Sequence, residues 1–307
     1  MPSSRTTATS WIPTPIRTRL VALDVDGTLA RAGTPIDPTV LQTLRAIADR
    51  GIQVVIATGR GWLTMREMTR WLPPSALLVL NNGASTRAAA DGRLLDSHDI
   101  PHATANLARS ILRAAGLPAI WIESASSGDR YLIDGDWRDR SPYRRYLDPK
   151  GSRVSRLAHP DLAPPPAQIF GLAPPDLGQA IEDDLRSSLR EQAAVVVWRS
   201  RRLKAVGLEV LPPGVTKGAV VAQLADRLGV PAAESLAVGD DLNDLEMLAW
   251  AGRGLAIEGS PKPLLAVADD VVPNDDHALT RLLAEIRGPE AMALSSIPAP
   301  PPRGRSL

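Results

Sequence analysis

The chain contains no cysteine in 307 residues. That absence excludes a thiol nucleophile, a disulfide and a thiolate metal site together. Histidine is almost as scarce, with His98, His102, His159 and His277 standing at no metal-ligand spacing. Any metal must then be held mainly by oxygen, which favours a hard cation such as Mg²⁺. No apolar run approaches the roughly 18 residues of a membrane-spanning helix. Neither sign of charge is in excess: 35 basic and 34 acidic residues leave a net charge of +1. So even a balance gives no argument for nucleic acid or a membrane surface as a partner. The hydrophobic content of 44% and charged content of 22% are those of an ordinary globular chain, and the length fits one large domain or two modest ones.

What the sequence does have is a series of short apolar runs that end in polar clusters. The first is Val21-Ala-Leu-Asp-Val-Asp-Gly-Thr-Leu29. Val21, Ala22 and Leu23 read as a buried strand that delivers Asp24 and Asp26 at its carboxyl end, where ligands bind in an open α/β sheet. Two residues apart, the acids would share one face of a continuing strand. Their repulsion calls for a cation, a shared proton or a reaction, although Asp and Gly also make plain turns. Asp37 as N-cap and Pro38 at the first helical position start a helix with Val40, Leu41, Leu44, Ile47 and Ala48 on its apolar face. Gly51 stops it, and 52–57 is a β-branched strand ending in Thr58-Gly59-Arg60. A right-handed βαβ unit places this second strand beside the first, and Thr58 beside Asp24.

A helix over 65–72 and a strand over 76–80 follow, then Asn81-Asn82-Gly83-Ala84. From 85 to 205 the pattern loses its regular alternation. Helices are expected at 101–115 and 176–191, with strands at 119–123, 131–134, 167–172 and 194–198, which reads as an inserted α+β domain. The alternation resumes with a strand over 208–211. Thr216 then caps a helix with Val220, Val221, Leu224, Ala225 and Leu228 on one face. Lys217 in its first turn opposes the helix dipole, which makes sense if an anion or paired carboxylates lie in front of it. A strand over 235–238 runs into Gly239-Asp240-Asp241-Leu242-Asn243-Asp244. Helices at 245–251, 261–268 and 276–287 and strands at 254–257 and 270–272 complete the core. Residues 1–18, rich in Ser, Thr, Pro and Arg, read as a disordered tail whose composition a transit peptide shares. Residues 289–307 read as a Pro-rich disordered tail.

Asp24-Val-Asp26-Gly-Thr28, Thr58-Gly-Arg60, Lys217 and Gly239-Asp240-Asp-Leu-Asn243-Asp244 stand in this order, each at a strand's carboxyl end or a helix start. The set resembles the four motifs of the haloacid dehalogenase (HAD) superfamily over roughly residues 19–288. The size and place of the insert, Pro-Gly-Val-Thr-Lys-Gly before the lysine helix, and G-D-x-x-N-D resemble the Cof-type branch with a type IIB cap. The resemblance implies a Rossmann-like, doubly wound parallel α/β core, 19–84 and 206–288, with an inserted α+β cap, 85–205. It implies Asp24 as a nucleophile forming an aspartyl-phosphate and Asp26 as general acid and base. Asp24, Asp240, Asp244 and the backbone carbonyl of Asp26 would hold Mg²⁺. Thr58, Gly59 and Lys217 would bind the phosphoryl group, with Asn243 orienting Lys217 or the phosphate. The implied activity is a cytoplasmic phosphatase for a small, sugar phosphate-like metabolite, with no nucleic-acid or membrane partner. Asp26 argues against the dehalogenase branch. A phosphosugar mutase on the same core, and a catalytically silent binding protein, are the alternatives. Trp121, Tyr131, Trp137, Tyr143, Arg144, Arg145, Tyr146 and Arg153 in the cap are either core and surface residues or a sugar-reading face. Oligomeric state is left open.

Overall fold

A computed structural model describes residues 17–31, 34–200 and 202–288. Both expected tails fall almost wholly outside these residues. In chain order the elements are β1 (Leu20–Leu23), α1 (Pro38–Asp49), β2 (Gln53–Ala57), α2 (Trp62–Met65), β3 (Leu77–Leu80), β4 (Ser85–Ala88) and β5 (Leu94–Ser97). Then come α3 (His102–Ala114), β6 (Ala119–Glu123), β7 (Tyr131–Asp134), α4 (Ser141–Leu147), β8 (Val154–Arg156), β9 (Pro166–Ala173), α5 (Gly178–Leu189), β10 (Ala194–Ser200) and β11 (Ala205–Leu211). The chain closes with α6 (Lys217–Arg227), β12 (Ser235–Gly239), α7 (Leu245–Trp250), β13 (Arg253–Ile257), α8 (Lys262–Val267), β14 (Asp270–Val272) and α9 (Asp276–Glu285).

Two sheets organise them. The larger runs β14-β13-β12-β1-β2-β3-β4-β5, parallel from β14 to β3 and antiparallel through β4 and β5. Its parallel strands read as largely apolar runs because both faces are covered. Val21 and Leu23, Val54 and Ile56, and Leu236 and Val238 pack with Val40, Leu44 and Ile47 of α1 and Leu279, Leu282 and Leu283 of α9. Leu20 and Ala22, Val55 and Ala57, and Ala237 pack on the other side with Val220, Val221 and Leu224 of α6 and with Met247 and Leu248 of α7. This is the α/β core with helices on both faces. Asp37 caps α1, its side chain accepting from the Thr39 N–H at 2.7 Å.

The smaller sheet runs β10-β11-β9-β6-β7-β8. One face packs against α3 and α5 through Ala105, Ala108, Leu112, Ile181 and Leu185. The other carries Tyr131, Ile133, Phe170 and Leu172, with Tyr143 and Leu147 of α4 and the flanking Tyr146 and Trp198 packed on it.

Three expectations need correction. The strand over 208–211 does not rejoin the larger sheet. As β11 it begins at Ala205 and lies between β10 and β9, antiparallel to both. Residues 85–97 do not open the insert, because β4 and β5 extend the larger sheet as a hairpin after β3. Pairing to the nearest strand outweighs the change in composition at both points. Instead of one helix over 65–72, α2 ends at Met65 and a short 3₁₀ turn covers Thr69–Trp71. There Trp71 N–H bonds Met68 O and Leu72 N–H bonds Thr69 O, the tighter i→i−3 pattern, just ahead of Pro73 and Pro74.

Candidate active site

Alternation along β1 decides where Asp24 goes. Leu20 and Ala22 face α6, so the next even residue, Asp24, emerges on that side at the strand's carboxyl end. There it meets Lys217, the first residue of α6. Thr216 caps this helix through its hydroxyl, which accepts the Ala219 N–H at 3.1 Å. The Lys217 Nζ donates to Asp24 Oδ1 at 2.5 Å and to Asp244 Oδ1 at 2.8 Å. Lys217 is 1% exposed, Asp24 4% and Asp244 0%. So dry a position makes the ammonium useful only because carboxylates compensate it.

Asp240 and Asp244 come from the turn after β12. Asp244 Oδ2 accepts the backbone N–H groups of Asp240 and Asp241 at 3.1 and 3.2 Å, which fixes the turn. Asp240 Oδ1 accepts from the Thr28 hydroxyl at 3.0 Å, tying the turn after β12 to the turn after β1. Gly27 makes this approach possible. Its φ is +99°, and a Cβ there would lie 2.0 Å from Asp240 Oδ2.

Carboxylate oxygens of Asp24, Asp240 and Asp244 lie within 4.8 Å of one another. At that spacing each pair repels by about 3 kcal/mol for an effective dielectric near 20. Lys217 offsets one of three negative charges. Burial first, then the neighbouring carboxylates, push the Asp24 carboxyl well up against the pull of Lys217. Burial and Asp244 push Asp240 up to about 7. Asp24 and Asp244 hold Lys217 charged despite its burial. An all-oxygen donor set with two uncompensated charges suits a divalent cation, and the space kept open by Gly27 adjoins it.

Asp26 does not share the face of Asp24, as a continuing strand would require. The strand ends at Leu23, and Asp26 turns out towards Arg60. Arg60 grips it with two bonds, Nε to Oδ2 at 2.7 Å and Nη2 to Oδ1 at 2.5 Å. Its carboxylate is therefore outside the three-aspartate group. Thr58 is fully buried after β2, and its hydroxyl oxygen accepts the Arg60 N–H at 3.1 Å. Gly59 lies against Asn82, whose amide would be 3.3 Å from a Cβ at that position. Asn243 reaches neither Lys217 nor the triad. Its Nδ2 donates to Asn82 Oδ1 at 3.0 Å.

Among the participants with no role assigned from sequence, which include Thr28 and Asn82, two stand out. Arg60 stands in the quoted Thr58-Gly-Arg60, and a cation two residues past the hydroxyl was the signal. Glu209 is the other: fully enclosed on β11, it accepts from Asn82 Nδ2 at 2.5 Å and from Trp198 Nε1 at 2.6 Å. A lone acid inside an apolar strand was its signal. Asn81 and Asn82 take left-handed backbone angles, φ 49° and 53°, to make the turn these bonds need.

Fold and site together define an enzyme of phosphoryl chemistry: a doubly wound core with a carboxylate pair bridged by lysine at the strand ends, and a second α+β sheet. The family model for haloacid dehalogenase-like hydrolases matches residues 21–283. An HMP-PP phosphatase of Cronobacter sakazakii is 32% identical over 253 residues, covering 81% of this chain and 87% of the relative. An HMP-PP phosphatase of Yersinia enterocolitica is 31% identical over 258 residues, covering 80% and 86%. In structure the chain is similar to a haloacid dehalogenase-like hydrolase from B. subtilis, with TM-score 0.72, 22% identity, and 87% and 99% coverage. It is also similar to a HAD subclass IIB sugar phosphatase, with TM-score 0.68, 18% identity, and 86% and 97% coverage. The chain belongs to the haloacid dehalogenase-like hydrolases. Within them it is a phosphoric monoester hydrolase. Among the described residues no helix is long and apolar enough to cross a membrane.

Proposed function

We propose that this chain is a Mg²⁺-dependent phosphatase that hydrolyses a small phosphorylated metabolite through an aspartyl-phosphate on Asp24. The observation that carries the reading is the buried Lys217 ammonium bridging Asp24 and Asp244, two acids from distant parts of the chain. An isolated buried triad of acids would be costly to fold, and a role in chemistry accounts for it.

An Asp24 oxygen attacks phosphorus as the bond from phosphorus to the ester oxygen breaks. Asp26 gives its proton to the departing oxygen, with Arg60 holding the carboxyl in place. Water then attacks the same phosphorus, Asp26 takes its proton, and the bond to Asp24 breaks to release phosphate. Lys217 keeps Asp24 ionised and offsets charge on the phosphoryl oxygens. The Thr58 oxygen is already engaged as an acceptor, so its O–H proton is available to a phosphoryl oxygen. Asp24, Asp240, Asp244 and the backbone carbonyl of Asp26 would hold the metal, which supplies Lewis-acid neutralisation of the phosphate when bound. The segment between β5 and α6 acts as the cap, its Tyr- and Glu209-bearing face turned to the site and excluding bulk water.

The test is hydrolysis of p-nitrophenyl phosphate with Mg²⁺, with EDTA, and by Asp24→Asn. Turnover that needs the metal and is lost in the variant supports the reading; turnover retained by Asp24→Asn refutes it. HMP-PP, the compound in the relatives' names, and a panel of sugar phosphates come next for the substrate.

A further inference from the structure

The cap places positive charge where the proposed reaction leaves its alcohol. Lys150, in the 3₁₀ stretch Asp148–Arg153 between α4 and β8, sits over two aromatic faces. Its Nζ lies 4.6 Å from the Tyr131 ring centre and 4.5 Å from that of Tyr146. Those rings pack edge to face at 6.3 Å. Arg153 Nη1 crosses to the larger sheet's side and donates to the Leu63 carbonyl at 2.7 Å. Three residues before Leu63 stands Arg60, gripping Asp26. Among the described residues no carboxylate forms an ion pair with Lys150 or Arg153.

We propose that Lys150, Arg153 and Arg60, with Tyr131 and Tyr146 as floor, form a second anion subsite that reads an oxyanion carried on the leaving group. The substrate class is then a phosphoric monoester whose leaving group itself bears a phosphoryl or carboxylate group. This rests on the phosphatase reading, because it is Asp26 that marks the leaving-group side.

Asp26 compensates Arg60 alone, so Lys150 and Arg153 repel each other unpaired, and a half-buried ammonium loses hydration that two ring faces replace only in part. Burial first, then Arg153, Arg60 and Arg202, pull the Lys150 ammonium down to about 8. A bound oxyanion relieves both the burial and the repulsion, and it can accept charge-assisted bonds from all three side chains. The Arg153 bond to Leu63 also makes the subsite complete only when the cap lies against the larger sheet. A leaving group that fills it would favour that closed arrangement.

Three non-hydrolysable ligands test this: propylphosphonate, a propane-bridged diphosphonate and phosphonopropionate. Their affinities for the full chain are measured by calorimetry with free Mg²⁺ held constant. The wild type is expected to bind one of the two doubly anionic ligands about tenfold or more tighter than propylphosphonate, about 1.4 kcal/mol or more. Preference for the diphosphonate assigns a phosphoryl group to the subsite, and preference for phosphonopropionate assigns a carboxylate. In Lys150→Met, which keeps an apolar stem over the rings, and separately in Arg153→Gln, that ratio should fall towards one. No preference in the wild type, or equal weakening of all three ligands in both variants, overturns the subsite. The phosphatase reading fails differently, by absence of p-nitrophenyl phosphate turnover or by phosphonates that do not compete with it.

Discussion

At the scale of single residues, the account turns on charge in a dry place. Lys217 is the counter-ion that lets Asp24 and Asp244 stay buried side by side. Lys217→Met should therefore lower stability in EDTA by about 3–5 kcal/mol, because it leaves buried carboxylates uncompensated. Urea denaturation measures this, and saturating Mg²⁺ should recover part of the loss. Glu209 has a different role. Burial raises its carboxyl from 4.5 to about 7, against the pull of its bonds to Trp198 and Asn82 and of the Lys217 charge. A carboxyl that holds its proton better folded than unfolded contributes stability present below the unfolded value and lost as pH rises through the folded one. The stability of the wild type relative to Glu209→Gln should thus fall between about pH 4.5 and about pH 7. The total is at most about 3 kcal/mol. A difference that stays flat across that window would show that Glu209 is ionised throughout.

At the scale of elements, most of the core strands and the meeting of Asp24, Asp240 and Asp244 with Lys217 could be read from the chain. Buried parallel strands appear as bare apolar runs, so β1, β2, β3, β12, β13 and β14 fall within a residue or two of the expected spans. The cap and dipole arguments at Asp37, Thr216 and Lys217 hold in the structure. What escaped was polar or short. Ser85-Thr-Arg-Ala88 and the exposed Val154-Ser-Arg156 have too little apolar alternation to announce a strand. β11 pairs with β10 just before it, but which sheet that hairpin joins depends on β9 and other partners distant in sequence, which no local pattern encodes. The Arg60–Asp26 pair and the Asn82–Glu209 bond were hidden for the same reason. The turn after β1 gives a sharper prediction. Gly27→Ala forces a Cβ to 2.0 Å from Asp240 Oδ2 at a φ of +99°. The strained backbone alone costs about 1–2 kcal/mol. Displacing a carboxylate by an ångström should lower kcat about a hundredfold or more. Thermal unfolding and p-nitrophenyl phosphate turnover, measured together, separate the two effects.

At the scale of the whole molecule, the polar ties between the two sheets include Asn82 to Glu209, Arg153 to the Leu63 carbonyl, and Arg87 of β4 to the Ala125 carbonyl and Asp129 between β6 and β7. The first follows β3 of the larger sheet and ends on β11 of the smaller, while the second links the stretch between α4 and β8 to α2. On the proposed reading, such ties would let the position of the smaller sheet be set by what occupies the cleft. A bound metal would be part of that coupling. If Asp24, Asp240 and Asp244 hold a divalent ion only when folded, Mg²⁺ at a hundred times its Kd should add about 2.7 kcal/mol of stability. Asp240→Asn should abolish most of that gain, and calorimetric unfolding with and without the metal reads it. The central claim is that Asp24 is the atom-bearing centre of phosphoryl transfer. It is tested most directly by acid-quenching the enzyme during turnover and sequencing its peptides by mass spectrometry. One phosphoryl group on the peptide containing Asp24, absent from Asp24→Asn, is the predicted result. A phosphoryl group on any other residue, or turnover by Asp24→Asn, would contradict it.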